Sequence, residues 1–175
     1  MSFKLPPNLE TTADVWDFLM RGDIAIQDPP PGFKGLPAGY LNPPFDKAAA
    51  RAAAQLCGVS GAEATAMDPQ HALALGLATK MWADAGPVAS ELAKKDLSRI
   101  GVYIGAWQEP MDAPQSAYRV LGNSLSALAA RVANSYGITG PAISVNTACS
   151  SSLVALDAAL RDARAGRIDY AIVSQ

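Results

Sequence analysis

The pattern of apolar and polar residues changes about halfway along the chain. Residues 11–23 and most of 46–98 have apolar residues at helical spacing or alanine-rich stretches, which predict helices. After residue 98, short β-branched and aromatic runs alternate with helical segments. These runs predict three strands, "RIGVYIGA", "AISVNT" and "YAIVSQ". Alternating strands and helices with short connections predict an α/β fold with a small, mainly parallel sheet on which the helices pack.

Helix-end signals in the first half are clearest between Asp68 and Gly86. Asp68 is suited to cap a helix, Pro69 to its first position and Gly86 to its end. Ser60, with Glu63 three residues later, predicts a capping box on a shorter helix before it. Four large apolar residues fall on one face of the longer helix: Leu73, Leu77, Met81 and Trp82.

The helix predicted at 11–23 is followed by a segment rich in proline and glycine. Thr11 and Thr12 are candidate caps. The stripe predicted on this helix consists of Val15, Trp16, Phe18 and Leu19. Residues 28–44 predict a loop of about twenty residues without regular structure, which is long for a compact domain. We therefore predict a helical and loop-rich region at 1–98 and an α/β core at 99–175.

Composition narrows the functional classes. The 175 residues suit one domain, half of them are hydrophobic and 17% are charged, which is typical of a globular chain. A net charge of -2 without a Lys/Arg cluster argues against nucleic-acid binding. The apolar stretches are shorter than a membrane span, and no signal peptide is recognisable, so we expect a cytoplasmic protein without a membrane segment. Two distant cysteines and one histidine predict no metal site.

Cys149 is the candidate for chemistry. It lies between the strand at 142–147 and a predicted helix, whose first-turn N–H groups and dipole favour a thiolate. The same N–H groups could donate to the oxyanion formed when the sulfur attacks a thioester. Ala148 and the serines at 150–152 are small and leave room for an acyl group. An unreactive cysteine packed in a core fits the same spacing, so the residues alone leave both interpretations open.

Several stretches resemble one family, in the same order along the chain. They are "AMDPQHALAL", "RIGVYIGA", "YRVLGNSLSALAARVANSYGITGP" and "GPAISVNTACSSSLVALDAALRDARAGRIDYAIV". The chain resembles the β-ketoacyl synthase (ketosynthase) domains of modular polyketide and fatty-acid synthases, most strongly over 99–174. The residues around Cys149, "NTACSSSLVAL", are more similar to the polyketide type. The resemblance implies the N-terminal half of a thiolase-like α/β/α sandwich, with 1–98 and 99–175 forming one partial ketosynthase domain. It also implies that Cys149 is the catalytic residue that takes the acyl chain from a carrier-protein thioester before a Claisen-type condensation.

Other parts of the family's site have no counterpart in this sequence. Such ketosynthases use two histidines and a glycine-rich oxyanion loop from later segments, and their first strand precedes the region that begins here. The one histidine, His71, matches a helix away from the nucleophile, which implies a structural role. Ala72 stands where the family often has an arginine. We therefore expect a truncated ketosynthase half that is unable to condense alone.

The resemblance also implies partners. Phosphopantetheine on an acyl carrier protein would bring the acyl group, so no cofactor is expected on this chain. We expect a homo-oligomer or a complementing C-terminal ketosynthase half, since in relatives the strand before Cys149 crosses a dimer axis and the loop around Met111 reaches towards the partner. Three alternatives stay open: a non-catalytic dimerisation or docking module, one half of a split ketosynthase, and a minimal thiol acyltransferase or thioesterase.

Several other side chains have structural interpretations. Core or rim packing explains Tyr103 and Trp107 more simply than an acyl pocket does. Capping explains Asn123 and Ser124. Cys57, in an alanine-rich helix, is most simply a buried small residue. Asp157 and Asp162, with Arg161 and Arg164, suggest a solvated helix face.

Overall fold

The computed structural model describes residues 1–32, 34–41, 47–92, 94–107 and 118–175. The strands in these residues are β1 (Ile26–Gln27), β2 (Ala38–Gly39), β3 (Ile100–Gly105), β4 (Ala142–Val145) and β5 (Tyr170–Ser174). The helices are α1 (Thr12–Arg21), α2 (Lys47–Leu56), α3 (Gly61–Thr65), α4 (Pro69–Ala85), α5 (Pro87–Leu92), α6 (Arg119–Asn123), α7 (Leu125–Ser135) and α8 (Ser151–Arg164). None of the described helices is both long and apolar enough to cross a bilayer.

Strand β3 is the centre of a three-stranded parallel sheet. The strand order is β4-β3-β5, and Val102 is opposite Ala142 on one side and Ile172 on the other. All six residues of β3 are buried, as expected for a parallel strand with both faces covered. This arrangement confirms the predicted α/β fold with a small parallel sheet.

The two faces of the sheet are covered by different helices. Alternate residues of β3, including Val102, pack with Leu75 of α4 and Val132 of α7. The opposite face carries Tyr103, which packs with Ala155 and Ala159 of α8. Helix α8 therefore forms its own layer. The strand that precedes it, β4, is parallel to β3, and the carboxyl ends of the two strands are side by side.

Helix α4 has the predicted ends, and its fully buried residues are not the four large ones that share a face. Asp68 caps it by accepting from the Gln70 N–H at 2.8 Å, and it ends before Gly86. Its buried residues are His71, Ala72, Leu75 and Ala78. The predicted stripe of Leu73, Leu77, Met81 and Trp82 is only half-buried. Small alanines let α4 approach its neighbouring helices, whereas Leu73 and Leu77 line an apolar groove beside the end of β5.

The N-terminal region differs from its prediction in two respects. Helix α1 has a full capping box between Thr11 and Asp14, yet no residue of this helix is buried. In the predicted stripe, Trp16 and Leu19 are each 64% exposed, whereas Val15 and Phe18 are half-buried. The segment predicted to lack regular structure contributes β2, which pairs antiparallel with β1. Residues 33 and 42–46, which fall in or beside this predicted loop, lie outside the described residues.

The short helix α3 is joined to α7 by an ion pair. Ser60 caps α3 by accepting from the Glu63 N–H at 3.2 Å, as predicted. The Glu63 carboxylate pairs with the half-buried Arg131 of α7. Side chains from both sides of residue 98 share one core cluster, and the boundary predicted there stays a prediction.

Candidate active site

The turn between β4 and α8 carries the candidate nucleophile. Ala148 has a left-handed backbone with φ 54°, and its N–H donates to Asn146 Oδ1 at 3.2 Å. Cys149 follows directly, is exposed, and has a free thiol. Helix α8 begins at Ser151, one residue later than a helix that starts directly after Cys149. The thiol therefore precedes the helix rather than lying within it.

Ser151 ties this turn to the helix. Its side chain is buried, with 1% of the residue exposed. Its Oγ accepts from the Thr147 N–H at 2.9 Å and donates to the Ala148 carbonyl at 2.7 Å. The Ser151 N–H also donates to the Ala148 carbonyl, at 3.1 Å. One residue therefore satisfies backbone groups on both residues before Cys149.

Ser150 forms a second set of bonds on the exposed side of the turn. Its Oγ donates to the Thr147 carbonyl at 2.8 Å and lies 3.0 Å from Thr147 Oγ1. It precedes α8 but makes no side-chain capping bond to the helix. The N–H groups of the first helical turn have no partner within a helix. An anion on the Cys149 sulfur or on a bound acyl group would lie in their favourable field.

Gly105, at the end of β3, lies directly behind this turn. A Cβ on Gly105 would be 2.5 Å from the carbonyl carbon of Ser151 and 2.7 Å from the Ser152 nitrogen. Such distances are far below van der Waals contact, so only glycine lets the strand approach the first turn of α8 this closely. The sequence analysis placed Gly105 in the predicted strand "RIGVYIGA" and did not predict its contact with the candidate site.

His71 is buried on the other face of the sheet. It is 3% exposed in α4, in the layer opposite α8. Burial, with a smaller effect of the Arg131 charge, lowers its pKa to about 4, although a hydrogen bond with the Ser124 backbone opposes this shift. His71 is therefore neutral near pH 7, as suits a structural residue. The structure does not bring it together with Cys149 in one layer.

Tyr103 is a core residue that anchors α8. Its ring is fully buried, and its hydroxyl donates to Asp162 Oδ2 at 2.5 Å. The hydrogen bond from Tyr103 and another from Arg167 hold the pKa of Asp162 below its usual value. Asp162 thus accepts a hydrogen bond from a core residue. The prediction that it belongs to a solvated helix face is wrong. Asp157 does pair with Arg161 on the exposed side, at 2.7 Å.

The remaining predicted residues are distributed over the fold. Asn123 ends α6 and donates to the Ala66 carbonyl at 2.9 Å, so the predicted cap is wrong for it. Ser124 precedes α7 without a side-chain capping bond. Cys57 lies just beyond α2 and is half-buried, with Sγ 3.4 Å from Thr79 Oγ1. Trp107 is exposed at the surface, and Met111 lies outside the described residues.

The outer face of α8 carries an apolar stripe. Leu153, Leu156 and Leu160 are 70%, 42% and 43% exposed, and their spacing places them on one side of the helix. We call these three residues the α8 stripe. Within the described residues, β4 and β5 are also the two edges of the parallel sheet. No group of three metal-binding side chains occurs among the same residues.

The geometry defines an α/β protein with a thiol at a strand–turn–helix junction. Residues 1–174 match the family described as β-ketoacyl synthase, N-terminal domain, and the chain belongs to that family. Its resemblance to ketosynthases is thereby confirmed.

The most similar relatives include large bacterial polyketide synthases. The chain is 34% identical to the polyketide synthase GfsB of Streptomyces halstedii, over 99% of this chain and 3% of that protein. It is 33% identical to the mycoketide-CoA synthase of Mycobacterium tuberculosis, over 98% of this chain and 4% of that protein. The chain thus spans only a small part of these relatives.

Solved ketosynthases share the fold. The ketosynthase from module 6 of the bacillaene synthase of Bacillus subtilis 168 superposes with a TM-score of 0.75 and 29% identity. That match covers 97% of this chain and 29% of the solved one. The oxazolomycin ketosynthase domain OzmH KS7 of Streptomyces albus JA3453 gives a TM-score of 0.74 at 25% identity, over 97% and 33%. These matches confirm the predicted thiolase-like N-terminal half.

Proposed function

We propose that this chain is the nucleophile-bearing part of a polyketide ketosynthase and that Cys149 accepts the acyl group. The observation that supports this most directly is the exposed free thiol placed just before α8, at the end of a strand of the sheet. A thiol at this position is open to a large thioester and close to the N-terminal end of a helix. A buried thiol would have been inert.

The proposed step is a transthioesterification. The Cys149 thiolate attacks the carbonyl carbon of an acyl thioester, and the negative charge moves to the carbonyl oxygen. Collapse of this intermediate breaks the original carbon–sulfur bond and leaves the acyl group on Cys149. The departing sulfur, on the phosphopantetheine of an acyl carrier protein, takes up the proton that Cys149 lost. The chain itself holds no cofactor in this proposal.

Condensation would need groups from outside these 175 residues. Loss of carbon dioxide from an extender unit creates an enolate, which positioned hydrogen-bond donors must stabilise. The one histidine of the sequence, His71, is buried, neutral and on the opposite face of the sheet from α8. We therefore propose that a complementing ketosynthase half supplies these donors and that the chain alone stops at the acylated cysteine.

A second candidate function is a docking or dimerisation module without catalysis. The α8 stripe favours it, because three exposed leucines on one helix face mark a surface suited to a partner. The two functions differ in whether Cys149 is needed. A docking module keeps its oligomeric state and never becomes acylated.

Intact-mass spectrometry with an acyl N-acetylcysteamine thioester tests the proposal. We expect the mass of one acyl group to be added to the chain and peptide mapping to locate it on Cys149. Cys149→Ala should abolish the adduct, and the matched variant Cys57→Ala should leave it unchanged. An unmodified wild-type chain, or label on Cys57 alone, would favour the docking module.

A complementation experiment tests the proposed partner. We expect a C-terminal ketosynthase half, added as a separate polypeptide, to produce condensation with a malonyl thioester only when Cys149 is present. Condensation by the 175-residue chain alone would contradict the proposal.

A further inference from the structure

We propose that Ser151 is the positioning residue of Cys149: its buried hydroxyl holds the left-handed turn at Ala148 and so sets the direction of the thiol. The inference rests on the proposed role of Cys149, because positioning matters only if the thiol reacts. It assigns a function to a serine that has no direct contact with substrate.

The hydroxyl of Ser151 uses both of its hydrogen-bonding capacities on the turn. It accepts from the Thr147 N–H at 2.9 Å and donates to the Ala148 carbonyl at 2.7 Å. Thr147 and Ala148 are the two residues directly before Cys149. A side chain without a hydroxyl would leave the Thr147 N–H unbonded here and remove one of the donors to Ala148.

The turn needs such support because Ala148 is left-handed. A residue with a Cβ is disfavoured at φ 54°, so the conformation persists only where surrounding contacts enforce it. Asn146 Oδ1 provides one contact, a bond of 3.2 Å on the exposed side. Ser151 provides two shorter contacts from the buried side.

Ser151 is buried and packs against the sheet. It is 1% exposed, and its carbonyl lies against Gly105 of the central strand. The position of the hydroxyl is therefore fixed by packing against the central strand of the sheet. Any adjustment of the turn must occur in residues 147–149, on the side that carries the thiol.

Loss of the hydroxyl should therefore redirect Cys149. Without it, Ala148 can relax to a commoner backbone conformation, and the next side chain turns with it. The sulfur then leaves its position directly before the first turn of α8, where the end of a helix favours negative charge. The measurable consequence is a slower reaction of Cys149 with electrophiles.

The neighbouring Ser150 offers a matched control. Its hydroxyl is exposed and bonds to the Thr147 carbonyl and hydroxyl, without reaching Ala148. Ser150→Ala removes the same atom from the same turn but spares the bonds that enforce the left-handed residue. Ser151→Thr keeps the hydroxyl at its own position.

The test compares iodoacetamide alkylation of Cys149 and Cys57 in the native chain, followed by peptide mass spectrometry. We expect Ser151→Ala to slow Cys149 by about twofold to fivefold, the range of a helix-terminus effect at an exposed site. Ser151→Thr should restore the rate, and Ser150→Ala should leave it unchanged. The half-buried Cys57 reports on unfolding in the same sample, and its rate should stay constant.

Three results would overturn the proposal while Cys57 is unaffected. They are an unchanged Cys149 rate in Ser151→Ala, an equal loss in Ser150→Ala, and no recovery in Ser151→Thr. If Ser151→Ala does not fold, amide hydrogen exchange of Thr147 in the wild-type chain decides instead. Protection from exchange supports the bond to Ser151, and exchange at the unprotected rate refutes it. No acyl thioester is used, so failure of wild-type acylation would refute the proposed function alone.

Discussion

Gly105 and Ser151 approach each other so closely that a methyl group on the glycine would be 2.5 Å from the serine's carbonyl carbon. This contact joins the central strand of the sheet to the first turn of the helix behind Cys149. The candidate active site therefore depends on backbone packing between two elements that are far apart in the sequence.

Gly105→Ala should destabilise the fold by about 2 kcal/mol, a typical cost of overpacking against atoms that cannot move aside. The atoms it meets are backbone atoms of α8. Urea unfolding measures the effect. Gly61→Ala is the control, because its new Cβ would meet the flexible end of Arg51 instead. Equal stability of Gly105→Ala and wild type would contradict the contact.

His71 should make stability depend on pH between about 6.5 and 4. Its pKa falls from 6.5 to about 4 on folding, mainly because it is buried, so the unfolded chain binds the proton more tightly. Its contribution is complete above pH 6.5 and is lost as the pH falls towards 4, at a cost of about 3 kcal/mol.

Denaturant unfolding at several pH values checks this prediction. Burial raises the pKa of Asp68, so this carboxyl also contributes to the pH dependence of stability. The informative quantity is therefore the difference between wild type and His71→Gln. We expect the pH slope between 6.5 and 4 to be shallower in the variant. Parallel slopes would show that His71 does not titrate as the structure implies.

Tyr103→Phe should raise the pKa of Asp162. The hydrogen bond from the Tyr103 hydroxyl is the largest cause of the low pKa of that carboxylate, and the bond from Arg167 is the next. Carbon-13 NMR titration of the Asp162 carboxyl measures the shift directly. Asp14 is the internal control, because hydrogen bonds with Thr11 in the capping box of α1 lower its pKa, and that pKa should be the same in both chains.

The α8 stripe should drive self-association of the isolated chain. Changing Leu153, Leu156 and Leu160 together to serine is expected to shift sedimentation towards the monomer. The matched variant carries serine at Trp16, Leu19 and Met20, which are 64%, 64% and 69% exposed on α1. A monomeric wild-type chain, or an identical response to both triple variants, would show that the α8 stripe is not a preferred contact surface.

The ends of helices and the burial of the central strand could be predicted from neighbouring residues in the sequence. The cap at Asp68 and the end at Gly86 follow from groups within one or two residues, and α4 has those ends. The apolar run at 100–105 predicted a buried strand, because a parallel strand covered on both faces tolerates few polar side chains. The neighbours of Cys149 made it a candidate, and its catalytic role stays a prediction.

Features that depend on distant parts of the chain were not predictable in this way. The buried face of α4 is set by the elements around it, so its fully buried residues are not the four large ones that share a face, although Met81 and Trp82 pack against the core. The left-handed Ala148 has no marker such as glycine in the sequence. The support from Ser151 and the space left by Gly105 become visible only when the strand and helix are placed together.

The backbone of Ala148 also limits which amino acids this position accepts. Glycine or asparagine would take up φ 54° more readily than alanine does, whereas valine, isoleucine and threonine would be rejected for their branched Cβ. A saturation library at codon 148, selected for folded chains with a reactive thiol, should therefore be depleted of all three branched residues. A restricted position would then lie directly before the candidate nucleophile, on a residue whose own side chain is a single methyl group.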